Sequence, residues 1–224
     1  MILTNKTFLI TGIADEHSLA MYVAKAIIAE GGKVICTGLG VSPFHQNLSE
    51  RAKSYLNKTF DDFKDSIKTH LGSKASVEIL DVTLDENLKY FAKNLLKNKI
   101  NIDGVLHAVA MDKTIRNKKV KPLLEVSFDE FCGTMDVSAF SLIRLTNSLF
   151  KSKVLNAGAS ICALSYIAAE KVTFHPYRNM SIAKAALERI VIELADEMGR
   201  KNGTRVNAIR FSTYLGSKAG AATL

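Results

Sequence analysis

Cysteine is scarce in this chain of 224 residues: Cys36, Cys132 and Cys162 are odd in number and far apart. Neither a disulfide framework nor a zinc site is expected from them, and all three read as core residues. No apolar run approaches the roughly 18 residues needed to cross a bilayer. Met1 to Lys6 leads straight into a strand pattern without the layout of a signal peptide, which points to a cytoplasmic protein. His17, His45, His70, His107 and His175 are scattered, with no second ligand at metal-binding spacing, so no metal is expected. The chain carries a formal charge of +8, densest between Lys93 and Lys121, yet no zinc finger, RNA-binding signature or aromatic-interleaved basic patch accompanies it. Three readings of that charge stand open: nucleic acid, an acidic carrier protein, or a solvated lysine-rich surface.

What is present is a 47% hydrophobic content, ample for one core, arranged in short strand-like runs that alternate with helical ones. Strands are predicted over Lys6–Gly12, Lys33–Thr37, Ser76–Leu80, Ile102–Ala110, Ala159–Leu164 and Arg205–Phe211. Between them, helices are predicted over Ser18–Glu30, Ser49–His70, Leu84–Leu96, Ser127–Lys153 and Tyr177–Gly203. In the first helix, Leu19, Tyr22, Val23, Ala26 and Ile27 form the apolar stripe; in the last, Met180, Ala183, Leu187, Ile190, Val191 and Leu194 do. Regular β–α alternation implies one domain, a doubly wound parallel α/β sheet of about six strands with both faces covered.

In such sheets ligands sit beyond the carboxyl ends of the strands. Gly12 closes the first strand, Asp81-Val82 follows the third, Ala108-Val109-Ala110 ends the fourth, and Tyr166 follows the fifth. Gly12 permits close backbone approach, and the helix opening at Ser18 directs free amides at an anion, as a pyrophosphate requires. The turn is not a full Gly-x-Gly-x-x-Gly, since Ala14 and Ser18 stand at the later small positions. Tyr177 and Lys184, seven positions apart, would share one face of a helix, a phenol and an ammonium aimed into one cleft. With the phosphate-binding turn they suggest nicotinamide-dependent reduction. His107 reads as a packed side chain, and Asp15 and Glu16 as solvent-facing.

Thr11-Gly12-Ile13-Ala14 with Ser18-Leu19-Ala20, Leu80-Asp81-Val82, Asp103 to His107, Asp136-Val137-Ser138, Leu164-Ser165-Tyr166 and Tyr177-x6-Lys184 occur in this order. Together they resemble the bacterial NADH-dependent enoyl-acyl carrier protein reductases, divergent short-chain dehydrogenases/reductases with a Rossmann-like fold. The commoner ketone and alcohol members use Tyr-x3-Lys, which is absent here: Ser181 follows Tyr177 at that spacing and Met180 stands before Lys184. The resemblance implies reduction of the C=C of a trans-2-enoyl thioester, delivered on acyl carrier protein, in fatty acid biosynthesis. It makes Tyr177 the hydrogen-bond donor to the thioester oxygen, Lys184 the ligand of the nicotinamide ribose, and Tyr166 a wall of the acyl pocket. For the cofactor it places Gly12, Ile13, Ala14, Ser18 and Leu19 at the pyrophosphate and ribose, Asp81 and Val82 at the adenine, and Ala108 and Ala110 near the nicotinamide. No arginine pair follows the second strand, and the position near Gly40 has no side chain, which leaves NADH favoured over NADPH. A homo-oligomer, a tetramer in this family, is implied as well.

The chain departs from the family after the sixth strand. Arg210-Phe211-Ser212-Thr213-Tyr214-Leu215-Gly216 stands in place of a Ser-Ala-Gly-Pro-like turn. The sequence stops at Leu224, where the family continues through a substrate-covering helix and a last strand, so residues 212–224 read as a partial covering segment and the usual last strand as missing. Two further readings therefore stand beside the reductase: a catalytically impaired nucleotide-binding paralogue or truncated form, and a ketoreductase.

Overall fold

The structure, a computed structural model, describes residues 1–116, 119–174 and 177–212. Strand β1 (Thr7–Thr11) enters a parallel sheet and leads through α1 (Leu19–Ala29) to β2 (Lys33–Gly38). Then follow α2 (Glu50–Leu71), β3 (Ala75–Ile79), α3 (Asp85–Lys97) and β4 (Ile102–His107). A two-stranded antiparallel pair, β5 (Ile115–Arg116) and β6 (Lys119–Val120), precedes α4 (Phe128–Met135). A π-turn at Asp136–Phe140 continues into α5 (Ser141–Lys151), and β7 (Leu155–Tyr166), α6 (Asn179–Asn202) and β8 (Arg205–Phe211) complete the described chain. No described helix is long and apolar enough to cross a membrane.

The main sheet has the order β3-β2-β1-β4-β7-β8, all neighbours parallel. Strand order reverses between β1 and β4, so the two halves diverge there and leave a crevice at their carboxyl ends. Period-two alternation builds both layers. Leu9, Ile35, Val105 and Ile161 face a core with Leu88, Leu142, Leu145 and Leu187 of α3, α5 and α6. Ile10, Cys36 and Leu106 face the opposite core with Met21, Ala24, Ile67 and Leu71 of α1 and α2. Helix ends are specified locally. Ser18, Ser49 and Ser127 accept from the first-turn amides of α1, α2 and α4, the last in a full capping box with Glu130. Gly203, in the left-handed conformation, closes α6.

Five expectations need correction. The buried stripe of α1 is Ala20, Met21, Ala24 and Ile27, with Tyr22 exposed, because the small side chains let the helix lie close against the sheet. The long helix predicted over Ser127–Lys153 contains the π-turn, whose extra residue shifts the register of every side chain after it. Cys132 is exposed on α4, whereas Cys36 is buried and Cys162 half-buried. Strand β7 runs well past Ala159–Leu164 at both ends. Tyr177 lies before the first turn of α6 rather than within it, so the helix face predicted to carry both Tyr177 and Lys184 does not include Tyr177. The β5–β6 pair had no sequence signal. Residues 213–224, which include most of the predicted covering segment and the Thr213 to Gly216 turn, lie outside the described residues.

Candidate active site

At the switch point, β1 and β4 are drawn together beyond their last paired residues, Ile10 and Leu106. The buried Thr11 hydroxyl donates to Leu106 O at 3.0 Å and accepts from the Ala108 amide at 3.2 Å. Gly12 then turns with φ +77°, and a Cβ there would lie 2.3 Å from the carbonyl carbon and oxygen of Ala108. Only glycine fits, for the conformation and for the approach. Ile13 is buried beneath the turn, Ala14 is exposed and Leu19 half-buried. The Ser18 hydroxyl accepts from Met21 N and donates to Asp15 O at 2.8 Å. Its role is thus to cap α1, whose first amides have no helical carbonyl to meet and face the crevice mouth as an anion site requires. Asp15 accepts from the His17 amide at 3.0 Å, and Glu16 is exposed, its carboxyl held below the usual range by a backbone hydrogen bond.

On the β3 side, Asp81 Oδ1 accepts from the amide and hydroxyl of Thr83 at 2.9 and 2.6 Å, and Asp81 N donates to Asn87 Oδ1 at 2.7 Å. Its Oδ2 lies 3.1 Å from His45 Nε2, while His45 Nδ1 accepts from Ser42 N at 3.0 Å. That acceptance assigns the ring proton to Nε2, aimed at the carboxylate. Val82 packs in the core and Gly40 lies against Phe60 and Ile79. A groove of about 460 Å³ runs beside this network, lined by Phe44, His45, Gln46, Thr83, Leu84, Asp85 and Glu86.

On the β7 side, Tyr166 ends its strand almost buried, with Tyr177 edge-on to it at 4.9 Å and 71° and Phe211 at 5.8 Å on another side. Lys184 on α6 is 5% exposed, and its Nζ donates to Leu164 O at 2.9 Å, two residues before Tyr166. Desolvation pushes its pKa down to about 8, and among the described residues no carboxylate pairs with it. One proton of the ammonium is used; the others remain for a ligand's hydroxyls. His107, fully buried on β4, sits with Nε2 2.7 Å from Ser141 Oγ, whose own proton goes to Val137 O at 2.6 Å. The imidazole therefore donates through Nε2, and burial, helped by the Lys184 charge, lowers its pKa to about 3. It is a neutral packed residue, as the sequence suggests.

Tyr166, Tyr177 and Lys184 are thus brought together around one end of β7, with Gly12 and half-buried Ala108 across the switch point. Ala110 is exposed at the rim, and Asp81 and Val82 lie at the far end beyond β2. The donor set fits a dinucleotide: a tight glycine turn, a capped helix start, and a buried ammonium with spare protons.

Sequence reasoning missed several residues that build this geometry. Ser165 Oγ donates to Glu188 at 2.5 Å; Glu188 takes Arg210 at 3.0 and 2.6 Å, and Arg210 also pairs with Glu170. The Arg210 hydrogen bond holds the Glu188 carboxyl below its usual range. Arg210, conspicuous as a departure in the sequence, is therefore a clamp across β7, β8 and α6. Ser138, in the π-turn, accepts from Met111 N at 3.0 Å and donates to Met111 O at 3.1 Å, holding the segment after β4. Its only sequence signal was the Asp136-Val137-Ser138 pattern.

Residues 12–215 match the family described as enoyl-(acyl carrier protein) reductase. The NADH-dependent enoyl-[acyl-carrier-protein] reductase FabI of Aquifex aeolicus is 36% identical over 208 residues, covering 93% of this chain and 68% of that protein. The corresponding Enterococcus faecalis enzyme is 30% identical over 223 residues, 97% of this chain and 79% of that protein. The crystal structure of the Bacillus cereus reductase with NADP+ and indole naphthyridinone superposes with a TM-score of 0.81 at 29% identity, over 100% of this chain and 77% of that one.

Proposed function

The chain belongs to the enoyl-acyl carrier protein reductase family, and from that premise we propose that Tyr177, Lys184 and Tyr166 are where it reduces trans-2-enoyl thioesters in fatty acid biosynthesis. It is an NAD(H)-dependent oxidoreductase, and its substrate arrives on acyl carrier protein. The bound nicotinamide supplies the hydride that the β-carbon of the enoyl group accepts. The enolate so formed is completed to the saturated thioester by a proton at its α-carbon, and the residues of this chain hold and stabilise it until then. As charge develops on the thioester oxygen, the Tyr177 hydroxyl donates to it and stabilises the enolate. Lys184 holds the ribose hydroxyls with the protons left over from Leu164 O and places a positive charge near that oxygen. Tyr166, packed edge-on against Tyr177, excludes water and walls the acyl chain. Gly12 and the amides opening α1 carry the pyrophosphate, with Ile13, Ala14, Ser18 and Leu19 around it; Asp81 and Val82 border the adenine, and Ala108 and Ala110 the nicotinamide.

The observation that carries this assignment is the nearly buried Lys184 ammonium, with no carboxylate partner among the described residues, one strand end from a pair of tyrosines. A buried lysine costs stability, and a cofactor's hydroxyls at its free protons give it a use. A net charge of +8 favours docking of an acidic carrier protein. Exposed Phe128, Phe140, Ile182 and Ile192 on the α4 to α6 helices support a homo-oligomer, a tetramer by family resemblance, in the cytoplasm. NADH is favoured over NADPH because no arginine pair follows β2 to meet a 2′-phosphate and Gly40 offers no side chain there. The impaired-paralogue reading has no observation in its favour, and neither does a ketoreductase.

The test follows NADH oxidation with a trans-2-enoyl thioester, with Tyr177→Phe alongside. We expect turnover to fall by about 100-fold, the range of a lost oxyanion donor, with NADH affinity retained. Unchanged turnover refutes the role of Tyr177.

A further inference from the structure

Between Tyr177 and the start of α6 the backbone does something costly. Arg178 has φ +42° and ψ −101°, and Met180 N donates back to Tyr177 O at 2.9 Å. That is a tight turn whose first corner, at positive φ, ordinarily belongs to glycine. Directly after it comes Asn179, fully buried at the first position of α6. Its Nδ2 donates to the Thr134 hydroxyl of α4 at 2.9 Å and reaches Glu130 O at 3.4 Å. Thr134 in turn shares its single proton between Glu130 O at 3.0 Å and Asp112 Oδ1 at 3.2 Å. Asp112 Oδ1 is already held by the amide and hydroxyl of Thr114 at 2.8 and 2.6 Å. Thr134 and Ser138, four apart on one helical face, therefore grip consecutive residues, Asp112 and Met111, of the segment after β4, and Asn179 joins the same grip.

Stability does not explain this arrangement. Asn179 Oδ1 and Asp112 Oδ2 are buried and meet no donor among the described residues, and Arg178 is strained. An apolar side chain at 179 and a glycine at 178 would serve the fold better. What the arrangement does is hold the two-residue arm that carries Tyr177 against α4 and the Met111–Asp112 segment, with its ring edge-on to Tyr166. We propose that Asn179 is a positioning residue for Tyr177, tying it through Thr134 to the Met111–Asp112 segment, with the Arg178 corner as the strained hinge of that tie. The proposal deepens, and rests on, the reading of Tyr177 as hydrogen-bond donor to the thioester oxygen. It commits Asn179 to no contact with substrate or cofactor.

The experiment measures kcat with a trans-2-enoyl thioester, NADH affinity by fluorescence and the unfolding temperature for single and double variants. Asn179→Val should lower kcat by about 10- to 100-fold, the effect of an ångström-scale misplacement, with NADH affinity within about twofold and no loss of thermal stability. Thr134→Val should reproduce the loss and Thr134→Ser should not. The double variant Thr134→Val/Asn179→Val should be no worse than the poorer single, as members of one tie are not additive. Arg178→Gly should raise the unfolding temperature by about 2–4 °C while lowering kcat, a combination that a merely structural role does not produce. Asn179→Val with kcat within twofold of the parent overturns the proposal. So does a fall in NADH affinity and stability in step with kcat. Should Asn179→Val fail to fold, Thr134→Val and Arg178→Gly decide by the same criteria. If Tyr177→Phe retains turnover, the reading of Tyr177 fails; if Tyr177→Phe loses it and Asn179→Val does not, the positioning role alone fails.

Discussion

Lys184→Met isolates what a nearly buried ammonium costs this fold. The lysine is 5% exposed and its pKa is pushed down from 10.5 to about 8 by desolvation alone. That difference corresponds to about 3 kcal/mol of destabilisation whenever the group is charged in both states, that is, below pH 8. Between pH 8 and 10.5 the folded lysine is neutral while the unfolded one still binds a proton, so the stability of the wild type rises with pH across that window. Above 10.5 both forms are neutral and the gain is complete. Methionine fills nearly the same volume and has no charge to desolvate, but it leaves Leu164 O without its 2.9 Å donor, a loss of about 1–3 kcal/mol. At pH 7 the two effects nearly offset, and the stabilities should agree within about 2 kcal/mol. The assay is urea unfolding of both proteins without cofactor at intervals from pH 7 to 10.5. Titration of tyrosines and other groups is common to both and cancels in the difference. The wild type should gain about 3 kcal/mol on the variant across the window, and the variant should bind NADH at least about tenfold more weakly. Parallel stability curves would refute the desolvation argument; unchanged NADH affinity would remove Lys184 from the cofactor site.

Gly12→Ala places a Cβ 2.3 Å from the backbone of Ala108 at a φ of +77°. Since neither strand end can yield cheaply, the loss should be about 2–5 kcal/mol with NADH binding abolished; urea unfolding within 0.5 kcal/mol of the parent would refute the close approach. His107, lowered to about 3 from 6.5, cannot accept a proton in the fold while the unfolded chain can, so stability should decline as pH falls from 6.5 toward 3, by up to about 5 kcal/mol. His107→Gln keeps an amide for Ser141 without titrating, and its acid unfolding curve should lack that part of the slope; identical curves would contradict a neutral buried imidazole.

Much of the architecture was legible in the chain. Central parallel strands are buried on both faces, so they read as short apolar runs, and β1, β2 and β4 fall within a residue or two of expectation at their starts. Ser49, Ser127 and Gly203 punctuate helices with the residue types that caps demand. The α1 stripe was misread because periodicity alone cannot weigh a large half-exposed Tyr22 against small residues that let the backbone approach the sheet. The π-turn escaped because one inserted residue leaves the apolar pattern on each side intact. Of the candidate site, Gly12 at a turn and Tyr166 at a strand end could be named from local context, and Lys184 on α6 from its spacing after Tyr177. His45, Glu188 and Asn179 could not, since each works through a partner 23 to 49 positions away.

The amino-acid sequence by itself determined the α/β alternation, the glycine turn at Gly12, the capped start of α1 and the order of motifs that identifies the family, because each is a short-range consequence of backbone freedom, hydrogen-bond capacity or hydrophobic period. Tertiary structure alone decided that Tyr177 stands outside α6 on a strained turn, that Lys184 is buried without a carboxylate partner among the described residues, and that Arg210 clamps Glu188 and Glu170. Those facts depend on which surfaces meet once two halves of a sheet diverge, and desolvation and long-range hydrogen bonds exist only after they have met.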